Sequence, residues 1–393
     1  MNRLRTSNVS AIALLLANII LPISQYNIAS TFSLMGPDFN QNVSGLGLLG
    51  AVLFLGIAVS EVPGSIIAMR VGPKKVVIGG ALLSSLPVLL SSFSSSFTLI
   101  VLSRFLLGAG LGACFSPLVT LVIRNIRRGS TGLGLGLIVL TYNVGGIIGL
   151  FGWAVLGDLV GWRSSLLMSG GLGLLATFVL LIILPRDEVV RSHISARALG
   201  RVLFNRKIVV LTVALFGIGG ASTLTFNFVV FYLESSIGVR PDLAGLIGSL
   251  APAFALMAPF VGRWYDRDKN TAKWIGFAII TMVVGLALTS LGSIVFVILS
   301  VALVGMGSSV GYSVVLTAAR ETAGSDSEYG TLAVGWADGT SLTGGFVTPI
   351  FFSAIVLQYG YSAAWLFGSF FVLVFALPFL HQASHKMERS SMG

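Results

Sequence analysis

The sequence predicts an all-α integral membrane fold of twelve transmembrane helices in two pseudo-symmetric six-helix bundles, with both termini in the cytoplasm. Three observations carry that expectation: a composition too apolar for a soluble surface, apolar runs of membrane-crossing length, and basic residues gathered in alternate loops.

Of 393 residues, 55% are hydrophobic and only 10% charged, with a mean hydropathy of +0.95. Soluble domains are roughly a quarter charged, so a chain this poor in charge cannot cover a soluble surface. Glycine, at 48 residues, is abundant, as it is where membrane helices approach one another closely.

A helix crosses the hydrocarbon core in about 20 residues. Runs of that kind fall at 9–31, 44–69, 76–96, 98–123, 131–157, 162–184, 208–233, 242–264, 273–291, 294–319, 329–357 and 361–380. The first follows Arg3 and Arg5 with no small-residue cleavage site at signal-peptide distance, so it reads as a retained helix. The sixth is followed by the longest connection, 185–207, which divides the chain into expected bundles at 1–184 and 208–393. Within that connection Ile194 to Phe204 is amphipathic, with Arg197 and Arg201 at helical spacing, as suits a surface helix joining two bundles.

The basic residues give the sidedness. The termini and even-numbered loops hold 21 of them, the odd-numbered loops only Arg163 and Arg240, and Arg104 lies inside a span. Short loops biased in this way place both termini in the cytoplasm. The bias also accounts for the net charge of +10, so nucleic acid is not implied as a partner. A single cysteine, Cys114, excludes an intrachain disulfide and a cysteine metal cluster, and His193, His381 and His385 all fall in polar segments. No metal and no cofactor is expected. Phosphate-loop, Gly-x-Ser-x-Gly and His-Glu-x-x-His patterns are absent, which argues against ATP drive within this chain and against an enzyme.

The two halves align on each other. Leu102-Ser103-Arg104-Phe105-Leu106-Leu107-Gly108-Ala109-Gly110 lies over Leu299-Ser300-Val301-Ala302-Leu303-Val304-Gly305-Met306-Gly307, an offset of 197 that also places Thr120 on Thr317 and Met69-Arg70 on Asp266-Arg267. A duplicated six-helix unit predicts a site near the membrane midplane, opened alternately to each side.

Four motif regions then resemble the major facilitator superfamily of secondary transporters, over essentially the whole chain. The family's loop between helices two and three, G-x-x-x-D-[RK]-x-G-[RK]-[RK], is matched by Arg70, Gly72, Lys74 and Lys75, with Met69 where the aspartate belongs. The second copy, Gly262-Arg263-Trp264-Tyr265-Asp266-Arg267, keeps its aspartate. The resemblance implies gating roles for Arg70, Gly72, Lys74, Asp266 and Arg267. Helix four is similar to the family's R-x-x-x-G-x-G pattern through Arg104, Gly108, Gly110 and Gly112. Helix five matches the antiporter pattern at Gly136, Gly145 and Gly149 but has Leu150 and Trp153-Ala154 where proline and a glycine pair belong. Gly157-Asp158-Leu159-Val160-Gly161-Trp162-Arg163 resembles the family's following loop.

Three ionisable residues lie within spans, Glu61, Arg104 and Asp338. Each costs about 2.5–3.5 kcal/mol or more there, and such residues line cavities or pair. Arg104, roughly 10 Å below the extracellular end of its helix at 1.5 Å per residue, is a candidate for binding a substrate anion. Its structural alternative is a tie to Gln25, Tyr26 and Asn27 of helix one, which lie at similar depth. Asp338 is a candidate proton-coupling carboxyl near the midplane; its alternative is a neutral acid bonded to Ser341, Thr340 or a carbonyl. Glu61 is a second candidate for proton coupling, or a gate hydrogen bond. Tyr26, Asn27, Tyr142, Asn143, Asn227, Tyr312 and Trp336 are candidates for lining the cavity, each with packing or interfacial anchoring as the alternative. Pro117, Pro252, Pro259 and Pro349 mark possible kinks.

These readings lead to one expectation, a secondary active transporter that moves a small organic solute, anionic in the preferred reading, with coupling to protons. One charge crossing 100 mV is worth about 2.3 kcal/mol, and one pH unit about 1.4, enough for a gradient of several hundredfold. The alternatives are a drug/proton antiporter exporting lipophilic or cationic compounds, and a sensor or scaffold without transport. The partners expected are a small-molecule substrate, protons and the lipid bilayer, with the chain as a monomer in the plasma membrane of a bacterium or archaeon.

Overall fold

The computed structural model describes residues 2–125, 131–184, 200, 202–324 and 328–391. Helices dominate, and no strand occurs among the described residues. They are α1 (Asn2–Gln25), α2 (Phe32–Asp38), α3 (Val43–Val71), α4 (Pro73–Ser91), α5 (Phe97–Asn125), α6 (Thr131–Ile183), α7 (Arg206–Tyr232), α8 (Pro241–Ala255), α9 (Ala258–Asp268), α10 (Thr271–Thr289), α11 (Ile294–Ala323) and α12 (Glu328–Ser391). A π-turn, Leu233–Ile237, extends α7. Residues 185–199 and 201 of the expected connection 185–207, and with them Arg197 and Arg201 of the amphipathic stretch Ile194–Phe204, lie outside the described residues, as does the side chain of Met69.

Among the described residues nine helical stretches are long and apolar enough to cross a membrane, and Ser10–Gln25 is a shorter apolar helix. Two of the nine, Leu137–Ile183 at 47 residues and Ala333–Gln382 at 50, are about twice the length one crossing needs. Each is broken by one glycine: Gly161 at φ 82, ψ 160 and Gly360 at φ 82, ψ 173. That conformation is open to glycine and strained for other residues, so a single residue replaces the short loops the sequence suggests at these places.

The first helix also differs from expectation. The run 9–31 does not stay helical. α1 stops at Gln25, residues 26–31 form a turn, and α2 follows. Local side-chain bonds compete with the helix there: Asn27 Oδ1 accepts from Ile28 N at 2.7 Å, and Thr31 Oγ1 donates to the carbonyl of Asn27 at 2.8 Å. Asn42-Val43-Ser44 begins α3, with Asn42 Oδ1 capping Ser44 N at 2.9 Å. Of the prolines, Pro259 follows the break between α8 and α9 at Leu256 and Met257, whereas the helices run on through Pro117 and Pro349.

The chain packs as two compact units, Met1–Ser192 with Phe226–Leu256, and His193–Thr225 with Met257–Gly393. In the first, α5 crosses α4 so closely that a Cβ on Gly110 would overlap the Gly80 carbonyl and stand 2.5 Å from Ser84 N. In the second, α11 crosses α10 in the same way, and a Cβ on Gly307 would stand 2.5 Å from Met282 Cγ and 2.6 Å from Thr281 Oγ1. These two glycines are paired by the 197-residue repeat. Around the crossings the cores are apolar: Leu14, Val77, Leu118, Val122 and Leu180 in the first unit, and an edge-to-face Phe352–Trp365 pair with rings 4.7 Å apart in the second.

Candidate functional site

In the first unit a polar network sits where α1 ends. Arg104, 2% exposed, reaches from α5 to that end. Its Nη1 donates to Asn27 Oδ1 at 2.9 Å and its Nη2 to the carbonyl of Gln25 at 2.8 Å. Gln25 is the last residue of α1, so its carbonyl has no intrahelical donor, and a guanidinium there satisfies it and complements the negative helix end. The network continues through Tyr142 Oη to Gln25 Oε1 at 2.8 Å, and through Asn27 Nδ2 to Ser169 Oγ at 3.0 Å. Trp153 Nε1 donates to the carbonyl of Ile23 at 2.7 Å. Among the described residues Arg104 makes no ion pair, and its Nε has no hydrogen-bond partner. A buried cation thus keeps donor capacity in hand, held only by neutral oxygens.

Gln25, Asn27, Arg104 and Tyr142 are therefore brought together. The remaining candidates of this unit are placed elsewhere. Tyr26 packs its ring 5.8 Å from that of Phe226. Asn143 bonds the carbonyl of Val139 in its own helix at 2.9 Å. Asn227 is buried, with its Nδ2 lacking a partner. Glu61 is buried in α3, one turn before Ser65, whose hydroxyl donates to the Glu61 carbonyl at 2.9 Å.

In the second unit a smaller polar cluster joins α7, α11 and α12. The hydroxyls of Tyr312 and Ser341 are hydrogen-bonded to each other. Gly219 of α7 passes so close that a Cβ there would overlap the Ser341 hydroxyl and stand 3.0 Å from the Tyr312 Oη. Thr348 Oγ1 donates to the carbonyl of Gly220 at 2.8 Å. Asp338 lies one turn before Ser341, half-buried, and makes no hydrogen bond among the described residues. The partners the sequence offers it are engaged elsewhere: Ser341 with Tyr312, and Thr340 with the carbonyl of Trp336 at 2.9 Å. Trp336 itself is 41% exposed.

The two loop motifs also differ. In the first, Gly72 turns the chain between α3 and α4 at φ 100, Arg70 is exposed, and the Lys74 ammonium donates to the carbonyl of Leu184. In the second, Asp266 pairs with Lys269 at 2.7 Å, Lys269 reaches Glu321 at 2.6 Å, and Arg267 is exposed. These hydrogen bonds hold the Lys269 ammonium above the ordinary lysine range, with Asp266 the larger cause.

Sequence reasoning missed two polar residues. Asn18, wholly buried in α1, donates to the carbonyl of Ile138 at 2.7 Å and to Thr141 Oγ1 at 2.8 Å. Glu234, in the π-turn, is hydrogen-bonded to Ser33. An acid immediately after the run 208–233 was the signal for Glu234; a lone amide in an apolar run was the only one for Asn18.

Long apolar helices with buried, hydrogen-bonded polar groups held between them define a multi-pass membrane protein. The chain belongs to the Major Facilitator Superfamily, whose family model matches residues 14–332 and, in a second match, 211–392. It is thus a membrane transporter of small molecules and not an enzyme. A probable sugar efflux transporter of Helicobacter pylori is 22% identical over 276 residues, covering 68% of each chain. The 4-hydroxybenzoate transporter PcaK of Pseudomonas aeruginosa is 31% identical over 163 residues, 41% of this chain and 36% of that one. Among solved structures, a bacterial homologue of the human lysosomal transporter Spinster, in an inward-facing and unoccupied conformation, superposes with a TM-score of 0.79 at 15% identity, covering 95% of this chain and 96% of that one.

Proposed function

We propose that this chain is a proton-coupled carrier of a small organic anion, with Arg104 attracting the negative group and Asp338 carrying the proton. The observation that carries this reading is a fully buried arginine with no ion pair and an Nε without a partner. A carboxylate accepts two parallel hydrogen bonds from a guanidinium and binds it more strongly than a neutral amide oxygen does. A substrate carboxylate arriving at this place competes with Asn27 Oδ1 for the same donors. Gln25, Asn27 and Tyr142, which share the Arg104 network, are the proposed contacts for the rest of the solute. Asp338, without a hydrogen bond of its own, gains a charge only when water or solute reaches it, and Glu61 is the second acid proposed for this role.

The long helices α6 and α12, each read as two crossings at its glycine break, bring the proposed count to twelve. The sequence halves 1–184 and 208–393 are the proposed bundles, with both termini in the cytoplasm, a monomer in a bacterial or archaeal plasma membrane. Arg70, Gly72, Lys74, Asp266 and Arg267 are the proposed gate. The carrier of 4-hydroxybenzoate among the relatives supports an acid as substrate. Similarity to a probable sugar efflux transporter favours a second reading, export of a neutral polar solute.

The test is uptake of labelled mono- and dicarboxylates and sugars into proteoliposomes under an imposed pH gradient. Gradient-driven uptake of an acid, abolished in Arg104→Ala and no longer responsive to the gradient in Asp338→Asn, supports the proposal. Uptake of acids unchanged in both variants overturns the two roles, and sugar movement with no acid movement selects the second reading.

A further inference from the structure

The corner between α9 and α10 carries a group of charged residues and aromatic rings of which only Asp266 and Arg267 belong to the proposed gate. α9 is amphipathic: Ala258, Val261 and Tyr265 are buried, while Phe260, Arg263, Trp264 and Arg267 share the opposite face and are exposed. Trp264 stacks on Trp274 of α10, with ring centroids 6.3 Å apart and planes 12° from parallel. Asp268 fixes this corner, accepting from Lys273 Nζ at 2.9 Å and from Trp274 Nε1 at 2.8 Å. Lys269 is bound by Asp266 and Glu321. Both lysines are thus committed to acids, whereas Arg263 and Arg267 make no ion pair or hydrogen bond among the described residues. From Lys273 an apolar stripe runs down α10 at helical spacing, with Phe277 45%, Ile280 64% and Val284 45% exposed.

We propose that this corner binds one anionic phospholipid of the cytoplasmic leaflet. Its phosphate sits on Arg263 and Arg267, its glycerol lies against the stacked tryptophans, and an acyl chain follows Phe277, Ile280 and Val284. Guanidinium groups hold phosphate through paired hydrogen bonds, indole rings settle at the headgroup level, and the exposed stripe accepts only an apolar partner. A soluble anion would account for the arginines but not for the apolar track below them. The choice of leaflet rests on the sidedness proposed above, whereas the binding itself does not, so the two fail separately.

The experiment is native mass spectrometry of the full chain in detergent, titrated with phosphatidylglycerol or phosphatidylcholine. Variants are Arg263→Gln with Arg267→Gln, Arg263→Lys with Arg267→Lys, and Arg240→Gln as a charge control at another loop. Removing two cations near an anionic headgroup is expected to weaken phosphatidylglycerol binding roughly thirtyfold. The lysine pair keeps part of the affinity, Arg240→Gln keeps all of it, and thermal unfolding in detergent alone confirms that each variant is folded. Equal retention of the two lipids by the wild type overturns the proposal, as does equal retention by wild type and the glutamine variant. Displacement of the lipid by millimolar inorganic phosphate assigns the arginines to a soluble anion and overturns it too.

Discussion

Asn27 and Asn227 lie in similar stretches of the two halves, Gln25-Tyr26-Asn27-Ile28 and Thr225-Phe226-Asn227-Phe228, three residues out of the 197-residue register, yet their surroundings differ. Asn27 accepts from Arg104 and donates to Ser169, whereas Asn227 is buried with its Nδ2 unpartnered. The residue paired with Arg104 is Val301, which is fully buried. In the first half the guanidinium takes the carbonyl of Gln25 and α1 ends there, while α7 runs on through Asn227 to Tyr232. One substitution in a duplicated framework thus goes with a different helix end and a buried charge. A free energy of several kcal/mol for burying that charge is offset by hydrogen bonds donated to neutral oxygens rather than by an acid. The ionisable residue of the second half, Asp338, sits on another helix and has no such set of bonds. The first half holds its cation by two hydrogen bonds and leaves one donor over; the second holds its acid by none among the described residues.

The sharpest way to break this contrast is Arg104→Ala. It leaves the Gln25 carbonyl and Asn27 Oδ1 without their charged donor, and hydrogen bonds to charged groups are worth about 1.5–3 kcal/mol each. Thermal unfolding in detergent should show a loss of about 3–5 kcal/mol, with uptake abolished, and Arg104→Lys should recover only part because it cannot fork. A stability change below about 1 kcal/mol in Arg104→Ala would mean that the network does not hold the end of α1.

Next come the paired glycines. Gly110→Ala and Gly307→Ala each drive a methyl into a neighbouring helix and should cost about 1–3 kcal/mol. Gly276→Ala in α10, which has open space around the added methyl, should be neutral or stabilising. Unequal costs at Gly110 and Gly307 would show that the two crossings are not equivalent.

Asp338→Asn removes no hydrogen bond and should shift stability by less than about 1 kcal/mol, while flattening the response of uptake to the pH gradient. A large loss of stability in this variant would show that the acid is structural, as Arg104 is.

The smallest effect is expected at Lys269→Ala, about 0.2–1 kcal/mol for an exposed pair of contacts. Because the folded ammonium is held above the ordinary lysine value, its contribution is complete below about pH 10.4 and is lost only as pH rises through the folded value. A melting-temperature difference between wild type and variant that shrinks between pH 6 and 8 would contradict this assignment.

Much of the fold was legible because a bilayer imposes few choices. Apolar runs, alternate loop charge and the 197-residue repeat each report a constraint that acts along the chain. The members of the Arg104 network were also legible, since Gln25, Asn27 and Tyr142 are polar residues in apolar spans. Their bonds were not. Arg104 and Gln25 are 79 residues apart, Tyr142 and Gln25 117, and sequence depth alone does not say which faces of two helices meet. The breaks at Gly161 and Gly360 fall where the sequence divides its runs, at 157–162 and 357–361, but their form was not legible: each is one residue, with the helix regular on both sides.

By itself, then, the sequence determined that this chain lives in a membrane, that it is built from helices of crossing length in a duplicated pattern, and which residues carry charge into the apolar interior. Only the tertiary structure decided where α1 stops, that Arg104 is held by a carbonyl and an amide rather than by a carboxylate, and that Ser341 belongs to Tyr312 and not to Asp338. Partition between water and lipid is a property of each segment and is written in its composition. The pairing of buried polar groups depends on how helices far apart in sequence rotate against one another, and close crossings at residues such as Gly110 and Gly307 set that rotation.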